Sequence, residues 1–358
     1  MIPSQHGVHD WLAAGNTTSG HEPARNGELI EYLRGTPGYT DLFAAAGYEC
    51  GISGKWHLGD SHHPQKGFGF WKVHAKGGGP YYDAPMVAAG LDVARQPGYV
   101  TDVITDNAIA WLEDTKESAN PFYLSVHYTA PHSPWSRENH PEDLYDEYFN
   151  HCAFASVPDG LIAPEWVKYK SIPVNDPKAR RENLSGYFAA VTAMDRNIGR
   201  LVAWLKTNSL LEETIVIFTS DNGMNMGHHG VYGKGNATFP MNMFEESVKV
   251  PFIASHSGSI APGSLGSRLL SQYDFMPTLL ELADSEYPEV FQGQPTPKLD
   301  GLSLTPVFRG ESRPAHEILV SGWMESKRMI RQGDWKAVIA GKEWELYNIT
   351  KDPTELDD

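Results

Sequence analysis

The stretch TIVIFTS, residues 214–220, runs β-branched and apolar side chains together and is followed at once by Asp221, Asn222 and Gly223. A strand apolar on both faces suits a buried parallel sheet, where helices cover both sides. The polar residues after it stand where open α/β sheets build their sites, just past the carboxyl ends of strands. Outward from this stretch the arrangement repeats. Residues 48–53, 121–128 and 250–255 are further strand candidates, and 121–128 alternates apolar with polar residues. Helical patterns lie between them. Residues 41–46 form one. A second carries Ile104, Ala108, Trp111 and Leu112 at helical spacing, with Thr101 as its N-cap. In a third, Tyr187, Val191, Met194, Ile198, Leu201 and Leu205 make one apolar stripe, and residues 273–284 form a fourth. This alternation predicts an α/β fold with a mostly parallel central sheet and helices on both faces.

After about Pro297 the texture changes. Short strands interrupted by the turn-like QGD (332–334) and AGKE (340–343) predict a small antiparallel sheet. The expected division is an α/β domain over 1–297, lacking its first strand, and a small C-terminal subdomain over 298–358 that is cut at its end. Residues in the 150s to 180s, with SVPDGLIAPEW (156–166) and SIPVNDPKARR (171–181), read as a long surface connection on the rim of a site.

Composition narrows the function classes. The chain has 358 residues, 41% hydrophobic and 21% charged, as globular proteins do. A net charge of −16 argues against nucleic acid as a partner, because phosphate binding needs a basic face. It leaves room for a small anion, since a few cations in a cleft reverse the field locally. Cys50 and Cys152 make neither a disulfide framework nor a Cys-rich zinc site. No run reaches the ~18 apolar residues of a membrane helix.

Three polar clusters follow three strand candidates. In SGKWHLGD (53–60), Lys55 and His57 are two residues apart and point the same way in an extended segment, a pairing suited to an oxyanion. The competing reading is a Gly-rich turn with a solvated Lys and a packed His. In HYTAPHSPW (127–135), His132 lies between prolines that stiffen the backbone, so it would be held as a general acid or base rather than float. The alternative is a turn histidine. His127 has the weaker case, being in the strand. In FTSDNGMNMGHHG (218–230), Asp221 and Asn222 offer hard oxygen ligands for Ca²⁺ or Mg²⁺, and His228 and His229 stand close by in sequence. Here the competitor is an ordinary Asp-Asn-Gly turn. Downstream, YGKGNATF (232–239) sets Lys234 between glycines, within reach of an anion unless it is simply a solvated loop lysine.

Taken in this order, the clusters resemble the formylglycine-dependent sulfatases of the alkaline phosphatase superfamily. GYECGISGKWHLG (47–59) is similar to the family's second signature, APHSPW (130–135) to its catalytic-histidine segment and TIVIFTSDNG (214–223) to its metal strand. LTPVFRGE (304–311), DFMPTLLELAD (274–284) and WELYNITKDPTE (344–355) resemble its C-terminal landmarks. The resemblance covers nearly the whole chain. It implies hydrolysis of a sulfate ester, in a sulfated carbohydrate or small aryl sulfate, on one divalent cation, calcium more than magnesium. Asp221 and Asn222 match two metal ligands. Lys55 and Lys234 match the lysines that neutralise sulfate oxygens, His132 the histidine that protonates the leaving alcohol, and His57 the one that supports the nucleophile. His229 is assigned to the substrate side of the site.

The family nucleophile is a formylglycine made from the Cys of a Cys-x-Pro-Ser-Arg motif. Against that motif Met1 occupies the nucleophile position, Pro3 and Ser4 match, and Gln5 occupies the Arg position. Gln5 can hydrogen-bond but supplies no charge. Two further metal carboxylates belong upstream of the motif, so the expectation is a sulfatase truncated at its N-terminus, in a periplasmic or extracellular setting. Two alternatives stay open: a phosphodiester or phosphonate-ester hydrolase of the same superfamily, and a non-catalytic relative that binds anions or glycans.

Overall fold

The computed structural model describes residues 31–88, 93–162, 165, 167, 176–238, 241–311, 316–323 and 327–356. The motif positions from Met1 to Gln5 lie outside the described residues.

Strand β1 (Glu49–Gly54) is the organising element, buried from Cys50 onward. It pairs in parallel with β2 (Phe70–His74) on one side and β5 (Phe122–His127) on the other, placing Ile52 beside Trp71 and Ser125. Strands β3 (Pro85–Ala88) and β4 (Val93–Arg95) extend the sheet antiparallel beyond β2, giving the order β4-β3-β2-β1-β5. The sheet is thus parallel at its centre and mixed overall.

Helices cover both faces. On one, α2 (Val100–Thr115), α3 (Glu142–His151) and α4 (Pro177–Thr207) contribute Ile104, Leu144, Ala189 and Ala193 to a common core. On the other, α1 (Tyr39–Ala45) and α6 (Phe275–Leu282) bring Phe43 and Leu280 against Ile52, Trp71 and Val87. Gly51 sits where an added Cβ would lie 3.0 Å from the Trp111 ring, so a bare backbone there lets α2 lie close on the strand.

Three expectations change in detail. Helix α2 is capped at Tyr99, not Thr101, which is the second helical residue and is fully buried. In α4 the buried face is built from Ala189, Ala190, Ala193 and Asn197, with Met194 and Leu205 from the expected stripe. Small residues face inward because α4 packs closely, and an added Cβ on Gly186 would fall 1.8 Å from the Trp135 carbonyl oxygen. The surface connection ends at Asp176, whose carboxylate accepts from the Lys178 and Ala179 amides at 2.9 and 3.1 Å, so 177–181 are helical.

The expectation of a buried parallel strand at 214–220 is not met: β6 (Val216–Thr219) is half-buried and pairs antiparallel with β9 (Phe252–Ser255), its one partner among the described residues. Strands β7 (Asn225–Met226) and β8 (Tyr232–Gly233) close the loop beyond it, a short helix α5 (Glu245–Val248) follows, and β10 (Val290–Phe291) and β11 (Gln294–Pro295) form a small hairpin. Strands β12 (Leu319–Trp323), β13 (Lys327–Gln332), β14 (Trp335–Ala340) and β15 (Glu343–Asn348) make the expected antiparallel sheet in sequence order. Its inner face packs Met329 and Val338 on Met243 and Val248.

The aromatic-rich segment after β1 is mostly packing. Trp71, His74 and Tyr81 are buried, and Tyr82 is exposed. His74 Nε2 and Thr129 Oγ1 share a hydrogen bond of 2.7 Å, while Nδ1 is buried without a partner. Burial, followed by the charge of Lys55, pushes this imidazole down to about 4. An unfolded histidine titrates near 6.5, so below that pH the unfolded chain takes up a proton that the native one refuses. Stability is therefore unaffected above about pH 6.5 and falls as pH drops toward 4, by about 3 kcal/mol for this residue. Urea titrations of the wild type and His74→Phe at pH 7 and pH 4.5 measure it, and the variant should lose less stability on acidification.

Candidate active site

The ends of β1 and β5 are stitched together where the site begins. Gly54 has φ of +114°, and a Cβ there would lie 2.0 Å from the His127 carbonyl oxygen, so this position requires glycine. The turn it permits lets the Lys55 amide donate to the His127 carbonyl at 2.7 Å, while His127 Nδ1 bonds the Lys55 carbonyl at 3.0 Å. Lys55 and His57 leave from this joint. Gly77, in the loop after β2, lies against the His57 ring, where an added Cβ would be 2.3 Å from Cδ2.

His132 is held by backbone contacts from both sides. Its amide donates to the Thr129 carbonyl at 3.0 Å, and its carbonyl accepts the hydroxyl of buried Tyr81 at 2.6 Å. Trp135 Nε1 donates to the Pro131 carbonyl at 2.8 Å and locks the turn. The residue reaches solvent while its ring is partly desolvated, with Nδ1 2.9 Å from the Ser133 carbonyl. A carbonyl only accepts, so Nδ1 carries the proton and Nε2 is the nitrogen that can take one up or give one away.

Beyond β6, Asp221 Oδ1 accepts the Asn222 amide at 2.9 Å, and Gln272 Nε2 donates to the carbonyls of Ser220 and Asp221 at 2.8 and 3.1 Å. Asp221 is exposed and Lys234 Nζ lies 3.5 Å from Asn222 Oδ1. A carboxylate and an amide oxygen side by side suit a hard cation such as calcium or magnesium and not a thiophilic metal. Gln272 was not legible in the sequence as part of the site, because it acts on a backbone carbonyl 51 residues away.

Electrostatics show that these loops converge. Burial lowers the Lys55 ammonium, which Asp221 raises and Lys234 lowers further. Burial, then Lys55 and Lys234, pushes His57 to about 4. His132 is lowered by burial and by the charges of Lys234 and Lys55, against the raising effect of its Ser133 bond. The group thus holds two lysines and two neutral imidazoles, a positive field that an oxyanion would relieve.

The structure brings together Lys55, His57, His132, Asp221, Asn222 and Lys234. It gives His229 other partners. That residue has φ of +54°, its ring stacks on Phe244 at 3.6 Å, and Nε2 lies 3.3 Å from a Glu246 carboxylate oxygen.

Comparison with known proteins bears on the family. Residues 16–285 match the Sulfatase family, and residues 227–358 match the family described as N-sulphoglucosamine sulphohydrolase, C-terminal. The chain is 30% identical to an N-acetylglucosamine-6-O-sulfatase of Bacteroides thetaiotaomicron, over 89% of this chain and 67% of that protein. It is 28% identical to a choline-sulfatase of Rhizobium meliloti, over 91% of this chain and 67% of the relative. Among solved structures, one determined in complex with its substrate D-glucosamine-2-N,6-O-disulfate superposes with a TM-score of 0.70 at 25% identity, covering 89% of this chain and 76% of that one. The Sulfatase match takes in β1, β5 and β6 with the loops that carry all six converging residues, and the chain belongs to the sulfatase family.

Proposed function

We propose that the protein binds a sulfated sugar and hydrolyses its sulfate ester, with a 6-O-sulfated glucosamine as the favoured substrate. The observation that carries this is the convergence of Lys55 and His57, His132, and Lys234 from three separate loops, each imidazole depressed by burial and further by the lysine charges. Such a field is costly when empty and is relieved by a sulfate oxyanion. The choice of sugar rests on likeness to the N-acetylglucosamine-6-O-sulfatase and to the structure with a disulfated glucosamine.

In this reading the two ammonium groups meet the sulfuryl oxygens, where negative charge gathers in the transition state. His132, with Nδ1 anchored on the Ser133 carbonyl, gives a proton from Nε2 to the leaving alcohol oxygen. His57 stays neutral and offers a hydrogen bond without adding a competing cation. A divalent cation, calcium before magnesium, would rest on Asp221 and Asn222 and polarise the sulfate as a Lewis acid. Gln5, which puts no charge at the motif's Arg position, favours a second reading, in which the chain holds sulfated sugar without cleaving it.

One pair of measurements tests both. Calorimetry should show binding of N-acetylglucosamine 6-sulfate and none of N-acetylglucosamine, and ion chromatography of the same mixture shows whether sulfate is released. Binding with release supports the hydrolase, and binding alone supports the second reading. Equal affinity for the two sugars would overturn the assignment of the lysines.

A further inference from the structure

A short helix lies between the two ligand-bearing arms of the site. Ser247, in α5, is tied to both of them. Its carbonyl accepts the Gly223 amide at 3.0 Å, next to Asp221 and Asn222, and its Oγ accepts from Asn225 Nδ2 at 2.7 Å. The same Oγ donates to Asn242 Oδ1 at 2.5 Å, and Asn242 Nδ2 donates onward to the carbonyls of Lys234 and Gly235 at 3.3 and 3.2 Å. Gly223 is pressed so closely on α5 that a Cβ would sit 2.0 Å from the Glu246 carbonyl oxygen. Moving α5 therefore moves the Asp221–Asn222 loop and the Lys234 loop together.

What holds α5 comes from the C-terminal sheet and the segment that follows it. Glu355 Oε2 accepts the Glu245 amide at 2.6 Å, at the start of the helix. Lys336, fully buried on β14, places Nζ 2.6 Å from Glu355 Oε1 and 3.0 Å from Glu245 Oε1. Glu246, the next residue, carries the contact to His229 at the head of the turn leading to Lys234. His229, Glu246 and Glu355 offer ligand atoms within 4.8 Å of one another, the spacing of a metal site. The Lys336 ammonium, however, already supplies the positive charge that a cation would bring, so the group is a closed ionic node.

Buried ion pairs seldom add net stability over apolar residues of the same size, but their directional bonds select one geometry. We infer that Lys336 and Glu355 are positioning residues, which act through α5 to set the spacing between the Asp221–Asn222 loop and Lys234. The inference rests on the proposed roles of those site residues and extends the site into a sheet that touches none of the reacting groups.

Hydrogen exchange read by mass spectrometry on the full-length protein, without ligand, tests it. In Lys336→Met/Glu355→Gln, which removes both charges together, exchange in peptides covering 221–225 and 234–248 should rise about tenfold, while β1 and β5 keep wild-type protection. Glu355→Gln alone keeps an oxygen for the Glu245 amide and should show a smaller rise in the same peptides, which provides the test if the double variant does not fold. A rise confined to the C-terminal strands, or spread evenly over the chain, would overturn the inference. In parallel, KM for N-acetylglucosamine 6-sulfate should rise about tenfold in the double variant. Wild-type protein that ignored sulfate esters would sink the reading of the site and leave the coupling standing, because exchange is measured without them.

Discussion

Lys55→Met and Lys234→Met are each expected to weaken binding of N-acetylglucosamine 6-sulfate by about 10- to 150-fold, the loss of one charge-assisted hydrogen bond of roughly 1.5–3 kcal/mol. Together they should abolish measurable binding. The two lysines lower each other's neighbours, and Lys55 itself is lowered by burial and by Lys234. Their repulsion is offset in part by Asp221, and a shared anion relieves it further. Removing either one also lifts part of the depression on His57 and His132, which is due first to burial and then to Lys55 and Lys234. The pH dependence has a definite sign. Lys55 in the free protein loses its proton at a lower pH than an ordinary lysine, so affinity should decline with rising pH sooner than a lysine at its usual value would dictate. Calorimetric titrations across the alkaline range check this, and Lys55→Met should flatten the alkaline fall. Unchanged affinity in either variant would remove that lysine from the site.

The second large effect depends on the leaving group. His132→Ala is expected to lower kcat/KM for a sugar sulfate by about 10²–10⁴, the usual contribution of a positioned acid. The same variant should turn over 4-nitrophenyl sulfate at close to the wild-type rate, because nitrophenolate leaves without a proton. The free protein keeps His132 neutral at pH 7, since burial and two lysines lower it. A bound sulfate cancels part of that lysine field and raises the imidazole, so the proton it gives up is taken on in the complex. A loss of equal size on both substrates would mean that His132 positions the ester rather than protonating it.

Much of the site was legible from short motifs because its members are local to strand ends. Lys55 and His57 follow β1 within three residues, His132 follows β5 within five, and Asp221 follows β6 within two. The parallel pairing of β1 with β5 brings the first two loops to one edge regardless of the side chains between them, whereas β6 carries Asp221 on an antiparallel pair with β9. His229 is the opposite case. Its sequence neighbourhood is that of the site, but Glu246 and Phe244 approach from a later segment and take its ring. Trp71, His74 and Tyr81 could stack on a sugar as far as their residue types go, yet burial commits them to the core. The face that α4 buries was legible in part: Met194 and Leu205 are buried and Tyr187 and Ile198 pack against core clusters. Close contact with Trp135 selects Gly186 and its small neighbours over the larger stripe.

The sequence by itself determined the α/β order of elements, the antiparallel sheet at the C-terminal end, the sulfatase resemblance and the six residues that converge. These depend on short-range periodicity and on residues within a few positions of a strand end. Only the tertiary structure decided that the central sheet is mixed, that two lysines depress two histidines, and that a buried Lys336–Glu355 pair is built into the support of the site. Lys336 and Glu355 are separated from Glu245 by about a quarter of the chain, 91 and 110 residues. Charge pairs of that separation leave no periodic trace, because what joins them is the packing of one sheet against one helical turn.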